Sequence, residues 1–331
     1  MNATIDDKNA HFAKEVTVEK DGIEVFDIPL HEFGIYKLDF EINAKSPGYW
    51  FADFYNAAGE HNYADNYSNT YASPDGFARQ TALFMARADA VRGKVGFRAI
   101  DAPLDLRNIK VCEVSKSEAL NWMDEQYASL PKINPVLDKD RWTLLAKTKQ
   151  ALENGETLQV VGLGDSISND MLNGLGHLLI EREYPGVTFN SIHANGPEKS
   201  SENYQYEDVM HRLVIRHKPD LFTVGGVSHE PESVRKLINI VRNACDNVET
   251  VYFDVRVGGD LEPEKRLKDL EKIKEMGEED GFAVWDMTSQ FEDCMSRATQ
   301  DAEWFRRDEQ HVNDHGKQIL GRLYAAYFSQ V

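Results

Sequence analysis

Two short stretches of this 331-residue chain carry residue types whose spacing suits acyl-transfer chemistry. The first is Gly164-Asp165-Ser166-Ile167, where an apolar run (Leu158, Val160, Val161, Leu163) stops and a helical pattern begins near Asp170. A serine at the carboxyl end of a parallel strand stands at the sheet edge where open α/β folds bind ligands, close to free backbone N–H groups. The second is Asp308-Glu-Gln-His311, just ahead of the last helical stretch. An aspartate can hold one imidazole nitrogen so that the other faces a hydroxyl, which is what ester attack asks of a general base. The expectation is therefore a nucleophile at Ser166, a base at His311 and an orienting carboxylate at Asp308. The competing expectation makes Ser166 an N-cap, a place serine favours, with His311 and Asp308 as ordinary loop residues.

Hydrolysis also needs donors for the oxyanion that develops in the transition state, each worth a few kcal/mol. The backbone N–H groups of Ser166 and Gly196 are candidates, and Gly225-Gly-Val-Ser-His229 offers a side chain as a third. Asp165 and Asn195 border the same edge as candidates for holding substrate groups. For each the alternative is a turn: Asp165 accepting bonds from turn N–H groups, Asn195 holding its own turn. His311 and His315 are four apart, the spacing of paired histidines on zinc-binding helices, but no Glu sits at the second position of that spacing. Asp314 is expected to cap the final helix, and neither a metal nor a cofactor is expected. His193 is expected to be a hydrogen-bonded structural residue.

These residues need a scaffold, and the pattern after Gly155 supplies one. Strands are expected at 158–163, 187–192, 221–224, 250–255 and 282–287, and helices at 170–184, 201–217, 231–247, 263–280 and 314–329. Short apolar strands alternating with amphipathic helices imply a parallel sheet covered on both faces by right-handed crossovers. Every strand then delivers its carboxyl end to one edge, where Ser166, Asn195-Gly196 and Ser228-His229 all fall. Before that region, from Glu15 to about Val114, the signal is β. Tyr36, Leu38, Phe40 and Ile42 alternate with polar Lys37, Asp39 and Glu41, and about seven such short strands suggest a sandwich. Asn62–Tyr71, rich in Tyr and Asn, is expected to be a long loop, either a sugar-binding rim or a surface loop packed on its own aromatics. Between the two regions, 117–127 and 138–154 suggest helices separated by Pro131 and Pro135, with Gly155 stopping the second. The expected division is a β-sandwich at 1–115, a helical connector at 116–156 and an α/β domain at 157–331.

Composition narrows the function classes. Apolar residues at 41% and charged residues at 28% describe a globular chain. With 37 basic against 56 acidic residues the net charge is −19, which argues against a phosphate-backbone partner and favours a neutral or weakly charged small-molecule or polysaccharide substrate. No run of about 20 apolar residues suggests a membrane partner. The first residues, Met1-Asn-Ala-Thr, lack a basic-then-apolar leader pattern, yet a mature secreted or periplasmic protein would look the same, and that location is favoured slightly over the cytoplasm. Three scattered cysteines, Cys112, Cys245 and Cys294, suit small buried hydrophobes better than a disulfide framework.

From Thr157 onward the sequence resembles the SGNH (GDSL-like) hydrolase family. Gly164-Asp165-Ser166-Ile167 matches the family's first block, Gly196 its second-block glycine, and Asp308-x-x-His311 followed by Asn313 and Gly316 its last. The third block departs: where the family has Gly-x-Asn-Asp, this chain has Gly226-Val227-Ser228-His229. Ser228 stands in the place of the asparagine whose amide completes the oxyanion hole, and its hydroxyl or a ring N–H of His229 is the expected substitute. The resemblance implies a five-stranded α/β/α sandwich with strand order 2-1-3-4-5 and a serine esterase without a cofactor. With a jelly-roll-like sandwich attached, it implies a carbohydrate O-acetylesterase. Two alternatives stand: a lipid esterase or thioesterase using the same residues, and a catalytically silent carbohydrate-binding protein. Oligomeric state is not legible.

Overall fold

The computed structural model describes residues 3–5, 9–12, 15–194, 200–226, 229–258 and 263–329, and the chain divides into two compact units, Met1–Ala128 and Ser129–Val331. The stretch 116–156 is accordingly shared: its first helix belongs to the first unit and the remainder to the second.

Ten strands among the described residues of the first unit form two antiparallel sheets: β1 (Ala3–Ile5), β2 (Asn9–Phe12), β3 (Val16–Val18), β4 (Ile23–Pro29), β5 (Ile35–Ala44), β6 (Tyr49–Tyr55), β7 (His61–Asn69), β8 (Ser73–Met85), β9 (Arg92–Arg98) and β10 (Leu104–Glu113), followed by helix α1 (Lys116–Ala128). One sheet runs β1-β2-β10-β5-β8 with β3 also on β10, and the other runs β4-β9-β6-β7. The alternation in β5 has its expected consequence, since Tyr36, Leu38, Phe40 and Ile42 are all buried. Their faces meet the other sheet, with Phe40 against Phe97 at 4.9 Å and Phe12 against Phe26 at 4.7 Å between ring centres. Each such side chain taken from water stabilises the unit by about 1.5–3 kcal/mol. The stretch expected to be a long loop at Asn62–Tyr71 is instead mostly strand: β7 pairs with β6 in register Tyr49↔Asn69 and Phe51↔Tyr67. Its polar residues disguise a period of two, because Asn66 and Ser68 point inward and Asn66 donates to the carbonyl of Leu83.

The second unit opens with α2 (Arg141–Leu144) and α3 (Ala146–Asn154), then β11 (Thr157–Gly164), α4 (Ser166–Asn173), α5 (Gly176–Glu183), β12 (Thr188–His193), α6 (Ser201–Tyr204), α7 (Glu207–Leu213), β13 (Leu221–Gly225), α8 (Pro231–Ala244), β14 (Glu249–Asp254), α9 (Pro263–Asp280), β15 (Ala283–Asp286), α10 (Met287–Ser296) and α11 (Asp314–Tyr327). The five parallel strands lie in the order β12-β11-β13-β14-β15, the 2-1-3-4-5 arrangement expected. Leu158, Val160, Val161 and Leu163 of β11 are buried because helices cover both faces of the sheet. Strand order reverses between β11 and β13, so a crevice is expected beyond their carboxyl ends.

The helix expected over 170–184 is two helices. It begins at Ser166 and breaks at Gly174-Leu175, where Leu175 has φ of 54°. A β-carbon on Gly174 would lie 2.2 Å from the carbonyl oxygen of Lys317 in α11, so the break lets α11 press against the joint. That contact matters for the site, since the turn leading into α11 carries His311. The helix expected over 201–217 is likewise divided, into α6, α7 and a 3-10 turn at Ile215–His217.

Candidate active site

Asp165 caps α4. Its Oδ1 accepts from the N–H of Ile167 (2.9 Å) and Ser168 (3.3 Å), and its carbonyl accepts from Asn169 (3.0 Å). The competing role for Ser166 is thereby taken by its neighbour, and the serine hydroxyl remains available at the first helical position. The Ser166 N–H has no hydrogen-bond partner among the described residues, as expected of a first-turn donor, and it lies at the positive end of the helix dipole. The strand end beneath is held by Tyr204, whose buried hydroxyl donates to the carbonyl of Gly164 at 2.9 Å.

The turn that faces Ser166 is built around Asp308. Its Oδ1 accepts from the backbone N–H of Gln310 (2.9 Å) and His311 (2.8 Å), and both carboxylate oxygens lie within 2.9 Å of His311 Nδ1. The turn is closed by Arg307 N–H donating to the His311 carbonyl and by a bridge between Arg306 and Val312. Asn313 then caps α11, accepting from the N–H of His315 and Gly316 while donating to the carbonyls of Trp304 and Arg306. The cap is therefore Asn313 and not Asp314, because Asp314 already lies within the helix.

His311 Nε2 lies 2.7 Å from Ser166 Oγ, across 145 positions of sequence. An ionised carboxylate only accepts, so Nδ1 carries the proton facing Asp308 and Nε2 presents its lone pair to the serine O–H. Burial is the largest influence on Asp308 and pushes its pKa upward. Bonds from the His311 ring and the Gln310 N–H, with the nearby His311 and Arg307 charges, outweigh burial and hold the carboxyl at about 2. The result is a hydrogen-bonded chain from hydroxyl through imidazole to carboxylate.

The other expected site residues fare differently. Asn195, Gly196 and Ser228 lie outside the described residues. His229 is buried, and its Nε2 lies 2.5 Å from the carbonyl of Gly225, an acceptor only. Burial, the dominant effect, lowers its pKa despite Asp165 and the Gly225 carbonyl, so the ring is neutral with its one proton on Nε2. Nδ1 is buried with no partner among the described residues. Asp165, expected either to hold a substrate group or to accept from turn N–H groups, is buried, caps α4 and packs against Gly226. His193 is buried at the end of β12. His315 stacks on Trp304, with ring centres 3.7 Å apart, and its Nδ1 faces the Trp304 carbonyl rather than His311.

Sequence reading missed one pair that ties the two halves of the site together. Arg307 Nη1 donates to both carboxylate oxygens of Asp170 (2.7 and 2.9 Å) and to the Val312 carbonyl (3.0 Å), and its Nε lies 3.8 Å from Asp308. Both side chains are almost entirely withdrawn from solvent. Asp170 stands one helical turn beyond Ser166, a spacing visible in the sequence, but nothing local points to a partner 137 positions away.

No family model matches the chain, and no curated protein matches it. Among solved structures, a two-domain esterase active on acetylated mannans matches at 14% identity and a TM-score of 0.47, over 56% of this chain and 52% of its own. The match thus spans about half the length of that esterase. An acetylxylan esterase from Geobacillus stearothermophilus matches at 14% identity and a TM-score of 0.41, over 53% of this chain and 95% of its own. A family 16 carbohydrate-binding module matches at 14% identity and a TM-score of 0.24, over 32% of this chain and 86% of its own.

Proposed function

We propose that the chain is a serine esterase that removes an acyl group, specifically acetyl, from a carbohydrate. The observation that carries this reading is the hydrogen-bonded chain Ser166–His311–Asp308, with the serine at the carboxyl edge of the sheet beside its switch point. Ser166 Oγ attacks the ester carbonyl as its proton passes to His311 Nε2, and Asp308 stabilises the imidazolium. The tetrahedral intermediate then collapses: the bond from carbonyl carbon to sugar oxygen breaks, and His311 returns the proton to the leaving hydroxyl. Water, deprotonated by the same imidazole, attacks the acyl-serine, and collapse frees acetate and restores the Ser166 hydroxyl. One ester and one water give one acid and one alcohol, without a cofactor.

The Ser166 N–H supports the oxyanion from the positive end of α4. The remaining donors in this reading are the Gly196 N–H and the Ser228 hydroxyl. The acetylated glycan follows from the family resemblance rather than from a residue of the site. In this reading the β-sandwich serves as an accessory module. Acetate release from a panel of acetylated polysaccharides, by wild type and Ser166→Ala, tests the proposal. Wild-type release at a rate at least a hundredfold above the variant is expected. Equal background rates on every polysaccharide and on p-nitrophenyl esters of any chain length overturn it, and hydrolysis restricted to octanoyl esters moves the substrate to lipid.

A further inference from the structure

Two side-chain links among the described residues join α4 directly to the turn that carries Asp308 and His311, and they differ in kind. Ser166 to His311 is one, and in the proposed reaction it does not last: once Oγ is acylated it has no proton to offer, and the bond to Nε2 is gone. Asp170 to Arg307 is the other, and no step of that reaction consumes it. Residues 166 and 170 are four apart on one helix, so they share a face about 6 Å apart along the axis. Residues 307 and 311 are also four apart, on a turn closed by the bond between their own backbone groups. The bonds from Asp308 to the turn, the bridge of Arg306 with Val312 and the cap at Asn313 set the shape of the turn. Through the cap they tie the turn to α11, which packs at the far end of α4 near Gly174, but none of them reaches α4 beside His311.

Resting on the esterase reading, we propose that Arg307 and Asp170 are positioning residues: a buried clamp that keeps His311 Nε2 at the serine oxygen while the acyl group occupies it. The fork of Arg307 suits this task, since Nη1 reaches both oxygens of Asp170 and the carbonyl of Val312 while Nε faces Asp308. Lys317 of α11 is buried on the same side, its Nζ 3.5 Å from Asp314 and within electrostatic reach of Asp170. Burial pushes the Lys317 pKa down, so this lysine does not replace Arg307, and a variant at 307 leaves the buried Asp170 carboxylate without its ion-pair partner.

The clamp acts throughout. Before acylation it shares the hold on the ring with the Ser166–His311 bond and, through Arg307 Nε beside Asp308, steadies the carboxylate that accepts from Nδ1. After acylation the serine no longer helps the clamp. Its loss slows release of the acyl-enzyme more than its formation. The test compares full-length wild type, Arg307→Met and Arg307→Lys, all checked for native unfolding temperature, on p-nitrophenyl acetate in the steady state and by stopped flow. Arg307→Met is expected to lower kcat about tenfold or more, to lower KM with it, and to show a burst of one p-nitrophenol per site before a slow phase, with Arg307→Lys intermediate. Independently of activity, the downfield proton NMR signal of the His311 Nδ1–H should broaden or vanish in Arg307→Met.

A kcat within twofold of wild type overturns the clamp, as does an equal fall in kcat and kcat/KM with the NMR signal intact. If Arg307→Met does not fold, Arg307→Lys decides, and wild-type kcat and signal in that variant overturn the clamp. Absence of Ser166-dependent hydrolysis in wild type overturns the esterase reading instead. The NMR comparison then stands alone, a lost signal in Arg307→Met supporting the clamp and an intact one overturning it.

Discussion

Ser166 owes its free hydroxyl to Asp165. Capping of α4 by the aspartate, through bonds to the N–H groups of Ile167 and Ser168, leaves the serine side chain to face His311. Ser166→Ala is accordingly expected to remove at least about a thousandfold of kcat with its unfolding temperature unchanged, measured on p-nitrophenyl acetate. Asp308 makes a prediction about pH. Its folded value, about 2, lies below the ordinary 3.8, so its contribution to stability is complete above the unfolded value and is lost only as pH falls through the folded one. The acid limb of a kcat profile is therefore not set by Asp308, and a profile with an inflection that vanishes in Asp308→Asn would contradict this. At neutral pH Asp308→Asn should lower kcat roughly 10²–10⁴-fold, because an amide can donate to Nδ1 and turn the ring to the wrong tautomer. That Ser166, Asp308 and His311 belong together was legible because residue type and short spacing are local properties, and the structure joins the three in one hydrogen-bonded chain. The bond from His229 Nε2 to the Gly225 carbonyl was not legible, because it depends on how the chain folds back after β13 and not on spacing.

Helix α4 and the loop after β13 are coupled through Gly226. This residue has φ of 121°, and a β-carbon there would fall within 2.6 Å of three atoms of the Asp165 carboxyl group. Gly226→Ala should therefore lower the unfolding free energy by about 1–3 kcal/mol, and it should also disturb the cap of the helix that carries Ser166. Urea unfolding alongside the kcat of the same variant checks both effects, and a change below about 0.5 kcal/mol would contradict the close approach. The elements themselves were legible where periodicity was strong, as in β5, β11 and α9, the last of which spans the expected 263–280. The break between α4 and α5 was not, because the 3.6-residue apolar pattern continues across Gly174 and only the approach of α11 interrupts the helix. β7 escaped for the opposite reason, since its inward positions are polar and find partners on β6 and β8.

Ser166, Asp308, His311, Asp170 and Arg307 all fall within Ser129–Val331, a unit with its own sheet and buried core. A chain of residues 129–331 is expected to hydrolyse p-nitrophenyl acetate with kcat within about threefold of the full chain, a comparison that a purified fragment settles directly. By itself the sequence determined the two architectures and singled out Ser166, His311 and Asp308 as the expected nucleophile, base and orienting carboxylate. Hydrophobic period, turn residues and the Asp-x-x-His spacing are local properties that survive in a string of letters. Only the tertiary structure decided which groups meet: the 2.7 Å between Ser166 and His311, the cap that frees the serine, the tautomer of His229 and the Asp170–Arg307 pair. Each of these depends on how helices and turns pack across more than a hundred residues or on what burial does to a charge, and neither is encoded in the spacing of neighbours.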